Sequence, residues 1–306
     1  MPESTKTHET IGNSAMTKLF AEVEMPEFTR ARLAQVGTRI RTQYGVTQDS
    51  DVLLIDAAEM ELAKCEGCAG YPCHKSTNAG FIPVLSVNGE VFVSMKICKE
   101  YVKHNAQVEL SRKLKAAKIP PRYRGKTFAN YKTDKNNQVA VTFAKSVLLK
   151  GYSGAFFYGK AGTGKTFLAA LIAQEFVKAG KTALFEKVAD LLTEFHEIYR
   201  GKSQESEKEL LSKLYNVDLL VLDDFGMEKT TKFVGTTLCK ILDARYDREG
   251  ITTIITSNLK MAQVADSLNK PADAEKSDIC LNGTRIQDRC IEICKTIEFQ
   301  GDSRRE

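Results

Sequence analysis

No apolar run in this 306-residue chain is long enough to cross a bilayer. The opening stretch, MPESTKTHETIGNSAM, is polar and lacks the apolar core of a secretory leader. Internal repeats and low-complexity tracts are also missing, so stacked-repeat and tract-like architectures are set aside. These absences argue against membrane association and predict a cytoplasmic chain, where nucleotide is available and thiols stay reduced. What remains is ordinary globular material, 42% hydrophobic and 27% charged, with room for one large or two moderate domains. The net charge of +5 permits an acidic partner such as nucleic acid without requiring one.

The most informative stretch is Gly159-Lys160-Ala161-Gly162-Thr163-Gly164-Lys165-Thr166, which fits the phosphate-loop pattern G-x-x-x-x-G-K-[ST]. The apolar strand candidate Ala155–Tyr158 precedes it, and the breaker-free helical run Phe167–Ala173 follows. Glycines let backbone N–H groups converge on a phosphate, and the helix that follows points its positive end there. Lys165 is expected to reach the β- and γ-phosphates of ATP, and Thr166 to ligate Mg²⁺.

Downstream, strands and helices alternate. Thr182–Phe185, Val217–Leu222 and Ile251–Thr256 read as strands; Val188–Tyr199 and Phe233–Arg248 read as helices. This order predicts an α/β fold with a parallel sheet covered by helices and ligands at the carboxyl ends of its strands. The second strand delivers Asp223 and Asp224 to that edge. Asp223 is expected to hold the Mg²⁺ shell and Asp224 to polarise the attacking water. The third strand ends in Asn258, which would either contact the γ-phosphate or lytic water, or cap the next turn.

Upstream, Ser111–Lys126 (SRKLKAAKIPPRYRGK) is strongly basic, and Pro120-Pro121 stops any preceding helix. We read it as a linker (111–126) between an N-terminal domain (1–110) and a nucleotide-binding domain (127–306), either a solvated face or a DNA contact. Within the N-terminal domain, residues 18–62 look helical. Cys65-Glu-Gly-Cys68 has the spacing of a metal knuckle. A hairpin is expected from Phe81 to Lys96 around Asn88-Gly89, returning Cys98 close to Cys73. Cys65, Cys68, Cys73 and Cys98 would then close a structural Zn²⁺ site within a module of residues 60–100. His74 competes with Cys98 for the fourth position, against the strain of two adjacent ligands. Cys239, Cys280, Cys290 and Cys294 show no such spacing and read as packed thiols.

With phosphate loop, Asp223-Asp224 and Thr256-Ser-Asn-Leu259 in this order, the chain resembles the AAA+ ATPases of the bacterial DnaC/DnaI helicase-loader and IstB group. The resemblance extends to Ile119-Pro-Pro-Arg-Tyr-Arg124, Thr127-Phe-Ala-Asn-Tyr131, Arg285-Ile-Gln-Asp-Arg289 and Ile297-Glu-Phe-Gln-Gly301, covering residues 112–306. It implies an AAA+ P-loop ATPase without a separate C-terminal lid. It also implies that Arg289 is an arginine finger entering a neighbouring copy, and hence self-association into a ring or spiral. Arg285, four residues earlier, either assists or pairs with a carboxylate such as Asp288. The segment Val188–Tyr199 would help bind single-stranded DNA, with His196, Tyr199, Arg200 and Lys202 near its end. A zinc-stapled N-terminal module resembles that of DnaI-type loaders, in which this domain grips the hexameric replicative helicase. The implied function is ATP-dependent loading of that helicase onto single-stranded DNA; the alternative is an IstB-like ATPase helper of transposition. An adaptor that binds nucleotide without hydrolysis and a small-molecule kinase fit the residues less well.

Overall fold

The short, β-branched and leucine-rich runs of the second half cannot hide both faces except between helices, and that is where they lie. The computed structural model describes residues 27–66, 80–88, 90–150, 154–273 and 281–303, with Cys68, Gly70, Tyr71 and Cys73. His74, Cys280 and residues 18–26 of the expected helical stretch fall outside the described residues. The chain divides into two compact units, Met1–Val108 and Glu109–Glu306.

In the first unit, helices α1 (Glu27–Tyr44) and α2 (Asp49–Ala63) bury Val36, Ile40, Val52 and Ile55 around Val91 of a hairpin. Arg32 ties the two helices, donating Nε to Asp56 Oδ2 at 2.7 Å and Nη2 to Asp56 Oδ1 at 2.9 Å. The hairpin strands β1 (Phe81–Val87) and β2 (Val91–Ile97) pair Phe81 with Ile97 and Val87 with Val91. This is one residue away from the register of a two-residue Asn88-Gly89 turn, which would set Phe81 against Lys96. The observed register aligns Val91 with Val87 and Leu85 on the face that packs on the helices, and a one-residue slip would reverse that face.

Helix α3 (Lys99–Ala116) follows, and the boundary between units falls inside it. The basic stretch 111–126 is therefore not an open linker. Its first six residues complete α3, Leu114, Ala117 and Ile119 are buried in the core of the second unit, and Pro121–Tyr123 forms a 3₁₀ turn. Apolar residues every few positions override the basic composition there.

The second unit continues through α4 (Gln138–Lys150), β3 (Gly154–Gly159), α5 (Lys165–Lys178), β4 (Ala183–Lys187) and α6 (Val188–Tyr199). Then come α7 (Glu207–Asn216), β5 (Leu219–Asp223), α8 (Lys232–Tyr246), β6 (Thr252–Ser257), α9 (Met261–Asn269), α10 (Asn282–Ile293) and β7 (Lys295–Phe299). The five strands form one sheet in the order β4-β5-β6-β3-β7, parallel throughout. Alternation sends Ala155, Phe157, Leu219 and Val221 into a core with α4 and α5, and Phe156, Leu220 and Leu222 into a second core with α6 to α10. Cys239, Cys290 and Cys294 are buried in the latter core as packed thiols.

Buried Arg245 of α8 fastens that core. Its guanidinium donates to Leu214 O at 2.8 Å, Val217 O at 3.1 Å, Thr252 O at 2.7 Å and Thr253 Oγ1 at 2.8 Å. It thereby satisfies carbonyls left over at the C-terminal end of α7, where a cation is favoured. At the sheet edge, Phe185 N donates to Ala117 O at 2.9 Å, so the chain after α3 lies along β4. Lys118 follows in a left-handed conformation, with its ammonium 2.8 Å from Glu186 and 2.7 Å from Glu194. The Glu186 contact is an ion pair rather than a well-aligned hydrogen bond.

One ammonium cannot neutralise two carboxylates. Burial pushes the Glu186 carboxyl up to about 7, against the pull of Lys118 and aided by Glu194 and Asp190. The folded protein then keeps this proton between its ordinary value of 4.5 and about 7, where the unfolded chain has released it. Stability from this group is thus present at low pH and lost as pH rises through that window. Glu186→Gln should flatten the loss, read as the difference in urea midpoint between about pH 5 and pH 7 for the two proteins. Parallel slopes for wild type and variant would refute a buried proton at Glu186.

Candidate nucleotide site

β3 ends at Gly159 and α5 starts at Lys165, so the phosphate-loop motif lies at the carboxyl edge of the sheet in front of a helix N-terminus. Gly159, Gly162 and Gly164 have φ of 137°, 83° and 100°, a region closed to most side chains. A Cβ at Gly159 would collide with the Phe299 carbonyl, and one at Gly162 with the Ser303 side chain. Gly159 therefore also admits the end of β7, and Gly162 the segment that follows it. Thr163 Oγ1 donates to Lys160 O at 2.9 Å and tightens the loop. Ala161 and Thr166 line the cavity in front of it.

Lys165 is buried, and its Nζ donates to Gly159 O at 2.7 Å, Lys160 O at 2.8 Å and Asn258 Oδ1 at 3.0 Å. Asn258 thus joins the end of β6 to the loop. It engages the site through its side chain, beyond the turn-capping role that the sequence left open. Asp223, the last residue of β5, is also buried, and Thr256 Oγ1 donates to its Oδ1 at 2.6 Å. Its Oδ2 is buried with no hydrogen-bond partner among the described residues. Burial raises the Asp223 carboxyl, while Thr256, the nearby Thr166 hydroxyl and Lys187 pull it back. Thr166 is close enough to favour the carboxylate without meeting full hydrogen-bond geometry. A buried orphan carboxylate oxygen beside a threonine hydroxyl is a donor set that suits Mg²⁺ or its bound water. Asp224 lies next to it at φ 58° and faces the same cavity.

That cavity measures about 320 Å³ and reaches from the loop to Tyr123, Asn130 and Tyr131. Tyr123 stacks on Phe167 at 5.1 Å and 12°, and Tyr131 leans on the same ring at 5.4 Å. Phosphate-binding backbone at one end and flat aromatic side chains at the other give it the size and chemistry for a mononucleotide. The sequence flagged Tyr123 and Tyr131 only as parts of upstream motifs. Their place in the cavity depends on folding back over α5, which no local pattern reports.

Arg285 and Arg289 line no part of this cavity among the described residues. Both lean on Asp243 of α8: Arg285 Nη2 donates to Oδ2 at 2.6 Å and Arg289 Nε to Oδ1 at 2.9 Å. Arg285 therefore finds its carboxylate across the helix pair, not at neighbouring Asp288. Arg289 also covers the Tyr246 ring at 4.2 Å. On α6, His196 and Tyr199 pack on Phe233 at 4.4 and 5.5 Å, while Arg200 and Lys202 are exposed.

In the first unit, Cys68 N donates to Cys65 O at 3.2 Å and Gly70 N donates to Cys68 Sγ at 3.4 Å, a knuckle-like turn. Burial, then the neighbouring thiols of Cys68, Cys73 and Cys98, push the Cys65 thiol up. Yet no three Cys, His, Asp or Glu side chains among the described residues converge as metal ligands. The four thiols are neighbours without the closed tetrahedron the sequence led us to expect. No helix among the described residues is long and apolar enough to cross a membrane.

Among known proteins, the family profile "IstB-like ATP binding protein" matches residues 86–306. The uncharacterized protein YdaV of Escherichia coli (strain K12) is 34% identical over 198 residues, covering 63% of this chain and 73% of that protein. The replicative helicase loader DnaC of the same organism is 30% identical over 160 residues, 51% of this chain and 65% of its own length. The crystal structure of the DnaI protein superposes with a TM-score of 0.50 at 26% identity, covering 61% of this chain and 94% of that one.

Because Gly162 is left-handed and packed under Ser303, Gly162→Ala should strain the loop and displace the segment behind it. Its affinity for a fluorescent ATP analogue should fall about tenfold or more, corresponding to ~1.4 kcal/mol. Unchanged affinity would mean that the loop does not carry the phosphates. The loop, Asp224 and the Asn258 amide line one cavity, and the family profile runs through all of them: the chain belongs to the IstB-like ATP-binding protein family, with an AAA+ P-loop fold.

Proposed function

We propose that this chain hydrolyses ATP to load a hexameric replicative helicase onto single-stranded DNA. The observation that carries the hydrolytic part is that Lys165, Asp224 and Asn258 line one nucleotide-sized cavity, with Asp223 buried beside Asp224 and bonded to Thr256 at the end of β6. Similarity to helicase loaders named DnaC supports the choice of partner, although the match spans about two thirds of their length.

The loop N–H groups of residues 159–166 and the Lys165 ammonium hold the phosphates. Thr166 and Asp223 would hold Mg²⁺, which would supply neutralisation of phosphate charge. Asp224 polarises the attacking water and Asn258 fixes the γ-phosphate end. Arg289, held at the surface by Asp243 and Tyr246, enters a neighbouring copy's site and makes turnover depend on assembly. His196, Tyr199, Arg200 and Lys202 contact DNA. The ion pair of Glu194 with Lys118 removes one charge that would oppose it. Residues 1–110 take the helicase, through a module stapled by Zn²⁺ on Cys65, Cys68, Cys73 and Cys98. The Cys65-Glu-Gly-Cys68 spacing and the presence of two further cysteines in the same module support the metal.

Asp224→Asn should cut ATP turnover by about 100-fold or more while ATP binding is retained. Unchanged turnover would leave a nucleotide-binding adaptor. Light scattering of the full chain mixed with its host's replicative helicase, with and without ATP·Mg²⁺, should show a co-complex. Its absence from a folded, ATP-binding protein would favour the second reading, an ATPase helper of transposition, which the IstB-like profile supports. Elemental analysis should find about one zinc per chain, lost with Cys65→Ser and Cys68→Ser together. A zinc-free, folded protein would remove the metal.

A further inference from the structure

Thr256 is fully buried near the end of β6 and would pass for an ordinary β-branched strand residue. Its hydroxyl is used twice. Oγ1 donates its single proton to Asp223 Oδ1 at 2.6 Å and accepts the Asp224 N–H at 3.1 Å. One atom on a neighbouring strand therefore holds both the side chain of the first carboxylate and the backbone of the second. The surrounding bonds stiffen this clip. Phe225 N donates to Thr256 O at 2.8 Å, and Ser257 Oγ donates to Phe225 O at 2.6 Å. Asp224 needs such support, since its backbone is left-handed at φ 58°.

We propose that Thr256 is a positioning residue of the nucleotide site: its hydroxyl turns Asp223 Oδ2 toward the cation position at Thr166 and fixes the direction in which Asp224 leaves the strand. The inference rests on the ATP-hydrolysing reading above. With Oδ1 occupied by Thr256, Oδ2 is the oxygen left for Mg²⁺ or its water. A valine keeps the volume and the strand preference but removes both bonds. A serine keeps the hydroxyl and loses only a methyl group.

The test uses the full-length protein and two variants, Thr256→Val and Thr256→Ser. Three quantities are read: ATP turnover against Mg²⁺ concentration, affinity for a fluorescent ATP analogue with Mg²⁺, and the same affinity with EDTA. Thr256→Val should need about tenfold more Mg²⁺ and lose about tenfold or more in kcat, with affinity in EDTA unchanged. Thr256→Ser should stay within about threefold of wild type, which a purely packing role of the residue would not produce. Thr256→Val with wild-type Mg²⁺ demand and kcat, or Thr256→Ser as defective as Thr256→Val, overturns the proposal. If wild type itself shows no turnover, the hydrolytic reading fails separately. The proposal is then decided by whether Thr256→Val loses the tightening of analogue binding by Mg²⁺ that wild type shows.

Discussion

β6 lies between β3 and β5, and this strand order is the constraint on which the site depends. The phosphate loop leaves β3, the two carboxylates leave β5, and neither strand touches the other. Two polar links between them pass through the end of β6. Asn258 reaches sideways to Lys165, and Thr256 reaches the other way to Asp223 and Asp224. Parallel pairing brings the three strand ends to one edge, where helix N-termini and unpaired backbone groups already favour an anion.

The same edge explains how buried charges are tolerated. Lys165 and Asp223 are both removed from water, which is costly unless each has partners. Lys165 finds loop carbonyls and an amide, and Asp223 finds one hydroxyl for one oxygen. The incomplete partnering of Asp223 is the feature that separates it from a structural carboxylate such as Asp56, which Arg32 holds with two hydrogen bonds. Arg245, by contrast, is a buried charge used wholly for architecture: its acceptors are backbone carbonyls and a threonine hydroxyl that tie the C-terminal end of α7 to β6.

Surface arginines follow a third logic. Arg285 and Arg289 share Asp243, so both guanidiniums are oriented on the face of α8 and α10 instead of being free to wander. Asp243 is only partly exposed, and Arg289 is held on a second side by the Tyr246 ring, so of the two arginines Arg285 is the more loosely placed.

Local chemistry was legible wherever one run of residues contained its own reason. The phosphate loop, Asp223-Asp224, Asn258 and the alternation of strand and helix could be read directly, because loop glycines, apolar runs and strand-end polar residues are neighbours in sequence. Even the missed helix α7 carried its signal. Ser206 and Glu209 form a reciprocal capping box, with Glu209 N donating to Ser206 Oγ at 3.3 Å and Ser206 N to Glu209 Oε2 at 2.8 Å. Tertiary structure alone decided the rest. The hairpin register was set by which residues met the helices, the basic stretch was drawn into the core by three apolar side chains, and Arg285 chose Asp243 over Asp288. Thr256 became part of the site only because β6 was inserted between β3 and β5. Pairings across dozens of residues depend on which surfaces are buried together, and burial is a property of the assembled fold.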